Sequence, residues 1–454
     1  MNMMILAARD KETNMPENFG GLEWKDVTNI HPIGLSAVLI LGVTMVLLPR
    51  RWAVLPMLVI ACFIPSVQKI VIGGMDFNFL RIMVVFGVIR LLLRKEYLAF
   101  IWKPIDKIVL GWVTSAVIIN TIQQGTSAAL INRLGFGFDV IGMYYIFRCL
   151  ICTWSDVDTT IFSTMLISIP VALAFLLENS TGRNIFSVFG GVPSITYVRD
   201  GRLRCQGAFS HAILAGCFWA SLMPLFVACW WKSSKGKLWA VTGIITSSII
   251  IICCASSTPV LAAASAVIGG LFFYFRNYMW HVRWCILIIF IFLHMIMQAP
   301  VWHLIARVSA VGGSTSWYRY KLINEAIKHF GQWFMFGTQS TLSWNLFDIT
   351  NQYILEGIRG GLLTLVLFIA VIICAFQSVG HLWRQNQVPY RIAMSWALGV
   401  SLFVHCMSFI GVSYFGQIWI LWYLLLAIIG SLSVQADFAM MPKNRMPFTV
   451  FECK

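Results

Sequence analysis

The chain has 454 residues, of which 59% are hydrophobic and only 11% are charged. Soluble domains carry about 25% charged residues, so the composition excludes a soluble protein and predicts an all-α polytopic membrane protein in contact with membrane lipids. The formal net charge of +15 does not indicate a nucleic-acid partner, because no basic run is interleaved with polar recognition segments. Basic loops on the cytoplasmic side of a membrane account for most of this charge.

The first residues, "MNMMILAARDKE", contain no apolar stretch long enough for a cleavable signal peptide. We therefore expect residues 1–32 to form an N-terminal tail ahead of a single membrane domain. A spanning helix needs about 20 apolar residues, and about 12 or 13 segments qualify. They lie near 33–49, 52–72, 77–94, 107–123, 134–151, 160–177, 208–231, 238–254, 258–275, 284–300, 361–379, 391–410 and 414–434.

Lysine and arginine cluster at alternate connections between these segments. The positive-inside rule places these connections in the cytoplasm, together with a C-terminal tail at residues 435–454. More than half of the 33 basic residues then lie on the cytoplasmic side. Thirteen segments place the N-terminus outside, whereas twelve would place it inside.

Two long loops on the outer side depart from this charge pattern. The first covers residues 178–207 and the second covers residues 301–360. Guanidinium groups bind phosphate in a bidentate manner, so arginine-rich outer loops predict an anionic ligand. The basic residues of the two loops are Arg183, Arg199, Arg202, Arg204, Arg307, Arg319, Lys321, Lys328 and Arg359.

The second loop contains a predicted amphipathic helix near residues 316–334. Its apolar residues recur every three or four positions, which indicates a helix lying on the membrane or packed over the bundle. Arg319 falls in the first turn, where free backbone N–H groups also favour an anion. The apolar positions are Trp317, Tyr320, Ile323, Ile327, Phe330 and Phe334.

Charged residues within the predicted spans also need partners. Asp139 and Arg148 are nine positions apart on one predicted helix, about 13 Å along its axis, so they cannot pair with each other. We expect each to have a partner elsewhere, because an unpaired charge in a membrane is costly. Arg81 lies near the outer end of its segment, where it either extends to the membrane surface or faces an outer pocket.

Sequence motifs for metal binding and nucleophilic catalysis are absent, so no metal and no cofactor is predicted. Asp156-x-Asp158 has the form of the DxD motif of sugar-nucleotide transferases. It falls in a short connection on the predicted inner side, and we interpret both residues as solvated loop aspartates.

Two stretches carry a family pattern. In "RLRCQGAFSHAILAG", arginines, then Gly207, then His211 precede a central helix. Further along, "YRYKLINEAI", "WFMFGTQS" and "TNQYILEGIRGGLLTLVLF" supply an arginine-bearing helix, a turn at Gly337 and an Asn-x-Tyr segment that enters the next helix. With these features the chain resembles the bacterial O-antigen ligase and O-antigen polymerase superfamily of polytopic glycosyltransferases. Thr350 stands at the position of the family's histidine.

This resemblance implies transfer of a glycan from a polyprenyl-pyrophosphate donor to an acceptor sugar at the outer face of the bacterial inner membrane. Arg204 and Arg319 would stabilise the departing pyrophosphate, helped by Arg202 and Arg81. The departure at Thr350 leaves the general base open between Asp348 and His211.

The remaining candidate residues would bind or position the substrate. Asn351 and Tyr353 would orient sugar hydroxyls or the loop itself, and Tyr318 would stack on a sugar ring. Gly207 would let the chain turn into the following helix, and Gly337 would form the turn of the second loop.

The implied partners are a lipid-linked oligosaccharide donor, a glycan or lipid-anchored acceptor, and other proteins of polysaccharide assembly. Polymerase and ligase differ only in the acceptor, and both remain open. The rival class is a transporter or flippase for the same lipid-linked glycan, which would also need outward-facing cations. Transporters often contain an internal repeat, and none is visible between the halves of this sequence.

Overall fold

The computed structural model describes residues 28–72, 75–307, 316–346 and 348–440. The predicted fold class is confirmed: the protein is an all-α, multi-pass membrane protein. Among the described residues, eight helices are long and apolar enough to cross a membrane. The sixteen-residue helix that begins at Pro32 is a shorter apolar helix of the same kind.

The helices follow one another with short connections, apart from the two long loops. We number the elements of the described residues in chain order. They are α1 (Pro32–Leu47), α2 (Leu55–Phe63), β1 (Lys69–Ile72), β2 (Met75–Asn78), α3 (Phe79–Arg94), α4 (Pro104–Gln124), α5 (Ser127–Leu150), α6 (Trp154–Thr181), β3 (Val198–Arg199), β4 (Arg202–Leu203), α7 (Ala212–Ala228), α8 (Ser234–Cys253), α9 (Ser257–Leu271), α10 (Met279–Ile296), α11 (Leu304–Arg307), α12 (Ser316–Lys328), α13 (Phe330–Trp333), α14 (Gln352–Gln385), α15 (Pro389–Gly411) and α16 (Ile418–Met440).

The predicted helix over 52–72 is wrong. Only Leu55–Phe63 is a regular α-helix, and it ends just before Pro65, where the restricted backbone ahead of a proline disfavours helix. Lys69 then begins a β-hairpin and exchanges backbone hydrogen bonds of 3.0 and 3.1 Å with Asn29. The stretch nevertheless returns to the end of the bundle where α1 begins.

The two long loops lie at the same end of the bundle, which we call the loop end. Side chains join the connections there: the Gln339 amide donates to the Gln123 carbonyl at 2.6 Å, and the Asn351 amide to the Ile410 carbonyl at 3.3 Å. At the opposite end Lys232 pairs with Asp158 at 2.7 Å. The helices therefore alternate in direction as the sequence predicts.

Asp139 and Arg148, for which the sequence predicts partners, are both paired. Asp139 accepts two hydrogen bonds from Arg81, at 2.7 and 2.8 Å, and Arg148 makes the same bidentate contact with Asp106 at 2.8 and 2.9 Å. Asp106 belongs to α4, so its pair with Arg148 joins α4 to α5 at the opposite end.

The Asp156-x-Asp158 segment serves the fold. Asp156 closes a capping box with Thr153 at the start of α6, and Asp158 pairs with Lys232 and accepts from the Tyr390 hydroxyl. Asp156 is buried, so the prediction of a solvated loop aspartate is wrong for this residue.

Candidate functional site

The first long loop begins later than predicted, because α6 continues to Thr181. The loop then forms the short hairpin β3–β4 and delivers Arg204 and Cys205 to the end of α8. A buried carboxylate holds the next turn. Glu178 accepts from the backbone N–H groups of Gln206 at 3.1 Å and Gly207 at 2.9 Å.

Gly207 is required by this turn. Its φ of +59° is a conformation that residues with a side chain rarely adopt, and a Cβ atom there would lie 2.5 Å from Phe175. The Gly207 carbonyl accepts from the Asn184 side chain at 2.8 Å. The predicted role of Gly207 as a turn into the next helix therefore has a steric basis.

The centre of the site is the junction between α8 and α9, from Ala255 in the connection to Thr258 in the first turn of α9. Ala255 has a φ of +42°, which turns the chain sharply after α8. Ser256 and Thr258 are both buried. Their hydroxyl groups lie where the two long loops meet the bundle.

Arg204 and Arg319 converge on this junction from different loops. The Nη2 atom of Arg204 donates to the Ser256 hydroxyl at 3.4 Å, and Nη2 of Arg319 donates to the Thr258 hydroxyl at 2.8 Å. The two residues are 115 positions apart in the sequence. The structure therefore brings together the two arginines that the sequence singled out.

Neither arginine has a carboxylate partner among the described residues, although each is only 8% exposed. Both Nε atoms are buried and have no hydrogen-bond partner in the described part of the chain. The buried Arg90 and Arg148, by contrast, each make a bidentate contact with a carboxylate. An unpaired buried charge costs several kcal/mol, so Arg204 and Arg319 form a site built for an anion.

The face of α12 that carries Arg319 packs against the bundle, in place of the predicted apolar stripe. The inward face comprises Ser316, Arg319, Leu322 and Ala326. Trp317 and Ile327, from the apolar stripe, are 62% and 50% exposed. The helix therefore packs over the bundle through its arginine face, and it breaks at His329 before the short α13.

A glycine on α15 makes room for the Arg319 head group. The Cζ atom of Arg319 lies 3.6 Å from where a Cβ on Gly411 would be, and the Thr258 side chain is nearer still, at 2.9 Å. Three helices thus meet at this point: α9 with Thr258, α12 with Arg319 and α15 with Gly411.

The electrostatic environment disfavours the positive charges in the absence of a ligand. Burial is the main cause that lowers the pKa of Arg204, and the nearby charge of Arg199 adds to it. Burial and Arg199 also lower the pKa of Arg319. Arginine stays charged at neutral pH even so. Arg199, which is half-buried, adds a third positive charge that interacts with both.

His211 lies beside this cluster as the N-cap of α7. Its Nδ1 accepts from the Ile213 N–H at 3.1 Å, so the neutral ring carries its proton on Nε2. Burial, with the charge of Arg204, lowers the pKa of His211 to about 4. At neutral pH this geometry presents an N–H donor rather than a base.

Tyr318 and Asp348 lie together on the second loop. The Tyr318 hydroxyl donates to the Asp348 carbonyl at 2.7 Å, and it accepts from the Asp348 N–H at 3.1 Å. The Asp348 side chain is exposed. Tyr318 thereby fixes Asp348 to the helix that carries Arg319, so its hydroxyl is engaged with the backbone.

Asn351, Tyr353 and Gly337 support the fold of the second loop. Asn351 caps α14 by accepting from the Ile354 N–H at 3.1 Å, and the Tyr353 hydroxyl donates to the Cys406 carbonyl at 3.1 Å. Gly337 has a φ of +76°, and a Cβ there would lie 2.2 Å from the Ile358 carbonyl oxygen.

The other two predicted arginines are placed differently. Arg81 pairs with Asp139, so the structure does not place an unpaired Arg81 beside Arg204 and Arg319. Arg202 is exposed on the hairpin, in register with Arg199.

Sequence reasoning missed three residues of the site: Glu178, Ser256 and Thr258. The only sequence signal for the last two is a run of small polar residues, "ASSTP", after an apolar helix.

Among the described residues, no group of three or more His, Cys, Asp or Glu side chains is arranged to hold a metal ion. In comparisons with known proteins, no family model and no curated sequence matches the chain.

Proposed function

We propose that the protein is a glycosyltransferase of the O-antigen ligase or polymerase type, acting on a polyprenyl-pyrophosphate-linked glycan. The observation that carries this proposal is the pair Arg204 and Arg319, two buried guanidinium groups without a carboxylate partner in the described part of the chain. A pyrophosphate supplies the missing negative charge and accepts hydrogen bonds from both side chains. We place the loop end on the extracytoplasmic face of a bacterial inner membrane.

In the proposed reaction, an acceptor sugar hydroxyl attacks the anomeric carbon of the donor glycan. The bond between that carbon and the phosphate oxygen breaks, and the pyrophosphate leaves with the bonding electrons. Arg204 and Arg319 stabilise the charge that grows on the leaving group. Asp348 takes the proton of the acceptor hydroxyl, because its exposed carboxylate is held next to the arginine helix by Tyr318.

His211 is assigned a different role from Asp348. With Nδ1 engaged in capping α7, its Nε2–H donates a hydrogen bond to the donor phosphate or a sugar oxygen. This assignment follows from the cap geometry and leaves Asp348 as the base.

An apolar cavity also lies within the bundle. It has a volume of about 260 Å³ and lies between α7, α9 and α15, towards the ends of these helices that are opposite to the arginine site. Its lining includes Met223, Ala266, Val267, Ala397 and Val400. A hydrocarbon chain can occupy such a surface because burial of apolar area is favourable.

The test uses the purified protein with a polyprenyl-pyrophosphate oligosaccharide and candidate acceptors. Arg204→Ala and Arg319→Ala should each reduce release of polyprenyl pyrophosphate by about 10²–10³-fold, the usual loss when one preorganised donor is removed. Arg183→Ala on the first loop and Lys328→Ala on α12 are matched controls, since both side chains are exposed. They should retain turnover.

Full turnover in both Arg204→Ala and Arg319→Ala would contradict the proposed mechanism. Movement of intact labelled lipid-linked glycan across a proteoliposome membrane, without glycan transfer, would instead favour the transporter. The acceptor that is converted to product decides between ligase and polymerase.

A further inference from the structure

We propose that Cys205 and Cys253 form a disulfide bond that fastens the Arg204 loop to the end of α8. Both are free thiols in the structure, and both are buried. The inference rests on the loop end facing an oxidising compartment, as the proposed function places it.

The backbone geometry allows this bond. The Cys205 N–H donates to the Cys253 carbonyl at 3.0 Å. With standard bond lengths, such a contact keeps the two Cα atoms within about 7 Å of each other, the largest separation that a disulfide spans. The two side chains are also close enough to interact, and the Cys205 thiol donates to the Asn179 side-chain oxygen at 3.9 Å.

The neighbouring cysteines point elsewhere. The Sγ atom of Cys254 lies 3.3 Å from where a Cβ on Gly216 would be, which directs it towards α7 and away from Cys205. Cys217 is buried on α7 itself. The structure therefore selects Cys253, and not Cys254, as the partner of Cys205.

The reaction is thiol–disulfide exchange with a disulfide-bearing thiol oxidase of that compartment. The Cys205 and Cys253 thiols together lose two protons and two electrons, and the sulfur–sulfur bond forms between them. The oxidase disulfide takes up the same protons and electrons and becomes a dithiol. Because both thiols are buried in the folded chain, we place this step during folding.

The bond would act directly on the anion site. Cys205 follows Arg204, and Cys253 lies three residues before Ser256, the hydroxyl that Arg204 contacts. Formation of the disulfide would therefore tether Arg204 and Ser256 to each other. It would also reduce the conformational freedom of the unfolded chain.

The experiment is mass spectrometry of the full-length protein from membranes denatured in N-ethylmaleimide without reductant. We expect a linked peptide pair containing Cys205 and Cys253, while Cys217 and Cys254 carry the maleimide. Reductant should lower the melting temperature of the wild type by several degrees, and it should not affect the Cys205→Ser/Cys253→Ser double variant.

A third measurement separates this inference from the proposed function. Arg183→Cys, in a protein from which the exposed Cys285 has been removed, is tested for labelling by a membrane-impermeant maleimide in intact cells. If it is labelled but Cys205 and Cys253 are both alkylated, the disulfide is overturned and the glycosyltransferase proposal stands on its own assay. If it is labelled only after permeabilisation, the assumed orientation fails, and the disulfide is overturned with it.

Discussion

Glu178 holds the Arg204 loop with three hydrogen bonds. Its two carboxylate oxygens accept from the N–H groups of Gln206 and Gly207 and, at 3.1 Å, from the Thr196 hydroxyl. Glu178→Gln replaces one of these acceptor oxygens with an NH₂ group that faces a donor. We expect a loss of about 1–3 kcal/mol in unfolding free energy. Thermal unfolding and hydrogen exchange of residues 203–209 measure the effect.

Glu325→Gln is the matched control, because that carboxylate lies on the surface-facing side of α12, paired with Lys328 at 2.9 Å. It should change stability by no more than about 1 kcal/mol. Equal effects of the two substitutions, with unchanged exchange in the loop, would contradict the role given to Glu178.

His211 makes stability depend on pH. Its pKa is lowered from the usual value near 6.5 to about 4 in the folded protein, first by burial and then by Arg204. Between these values the unfolded chain binds more protons, so the unfolding free energy rises with pH from about 4 to 6.5 and then levels off. The expected gain is about 1–3 kcal/mol.

His211→Asn isolates this contribution, because asparagine is also a good N-cap. The melting temperature of the wild type minus that of the variant should increase as the pH rises from about 4 to 6.5. A difference that stays constant across this range would show that His211 titrates normally.

At the scale of elements, a break in α14 anchors the second loop. Gly361 has a φ of +68° within α14, and a Cβ there would lie 2.3 Å from the Met335 carbonyl oxygen. The Leu362 N–H donates to the Phe334 carbonyl at 2.7 Å. The helix break thus packs against Phe334 and Met335, the residues that directly follow α13.

Gly361→Ala should therefore cost more than about 2 kcal/mol, since backbone must move on both sides of the contact. Activity should fall as well, because Arg319 reaches Thr258 from the helix that precedes this contact. Gly331→Ala in α13, where a Cβ meets nothing within 4 Å, is the control. Its melting temperature should match or exceed that of the wild type. A Gly361→Ala protein with unchanged melting temperature would contradict the anchoring role.

The elements that sequence predicts well are those set by local hydropathy. The spans near 107–123, 160–177 and 391–410 correspond to α4, α6 and α15, because an apolar run of that length becomes a helix in a membrane. The helix predicted over 52–72 is wrong beyond Phe63, because hydropathy does not distinguish a helix from an apolar strand and Pro65 decides between them.

The site was predictable only in part, for a physical reason. An excess of arginine in a loop is visible locally, so Arg204 and Arg319 were identified. Their partners Ser256 and Thr258 belong to the junction of α8 and α9, which the loops reach only through folding, and small polar residues carry no signal of their own. The burial of Arg319 was likewise not predictable, because the apolar stripe of α12 predicts that a different face of the helix is buried.

At the scale of the whole molecule, the partners of the buried cations differ between the opposite end and the arginine site. At the opposite end, arginines such as Arg148 are paired with buried carboxylates, and Lys232 with Asp158, so these cations complete the fold. At the loop end, Arg204 and Arg319 are held by hydroxyl groups and receive no compensating charge from the described residues. Arg204 and Arg319 therefore differ from the buried cations at the opposite end in having no counter-charge within the described ranges.

The positive-inside rule predicts the orientation in the membrane. The connection with Lys232, Lys235 and Lys237 should face the cytoplasm, and both long loops should face outward. Single cysteines introduced at the exposed Arg183 and Lys328 sites should react with an impermeant maleimide in intact cells. A cysteine at Lys235 should react only after permeabilisation. The endogenous exposed Cys285 must be removed first, and labelling of Lys235→Cys from outside would reverse the assignment.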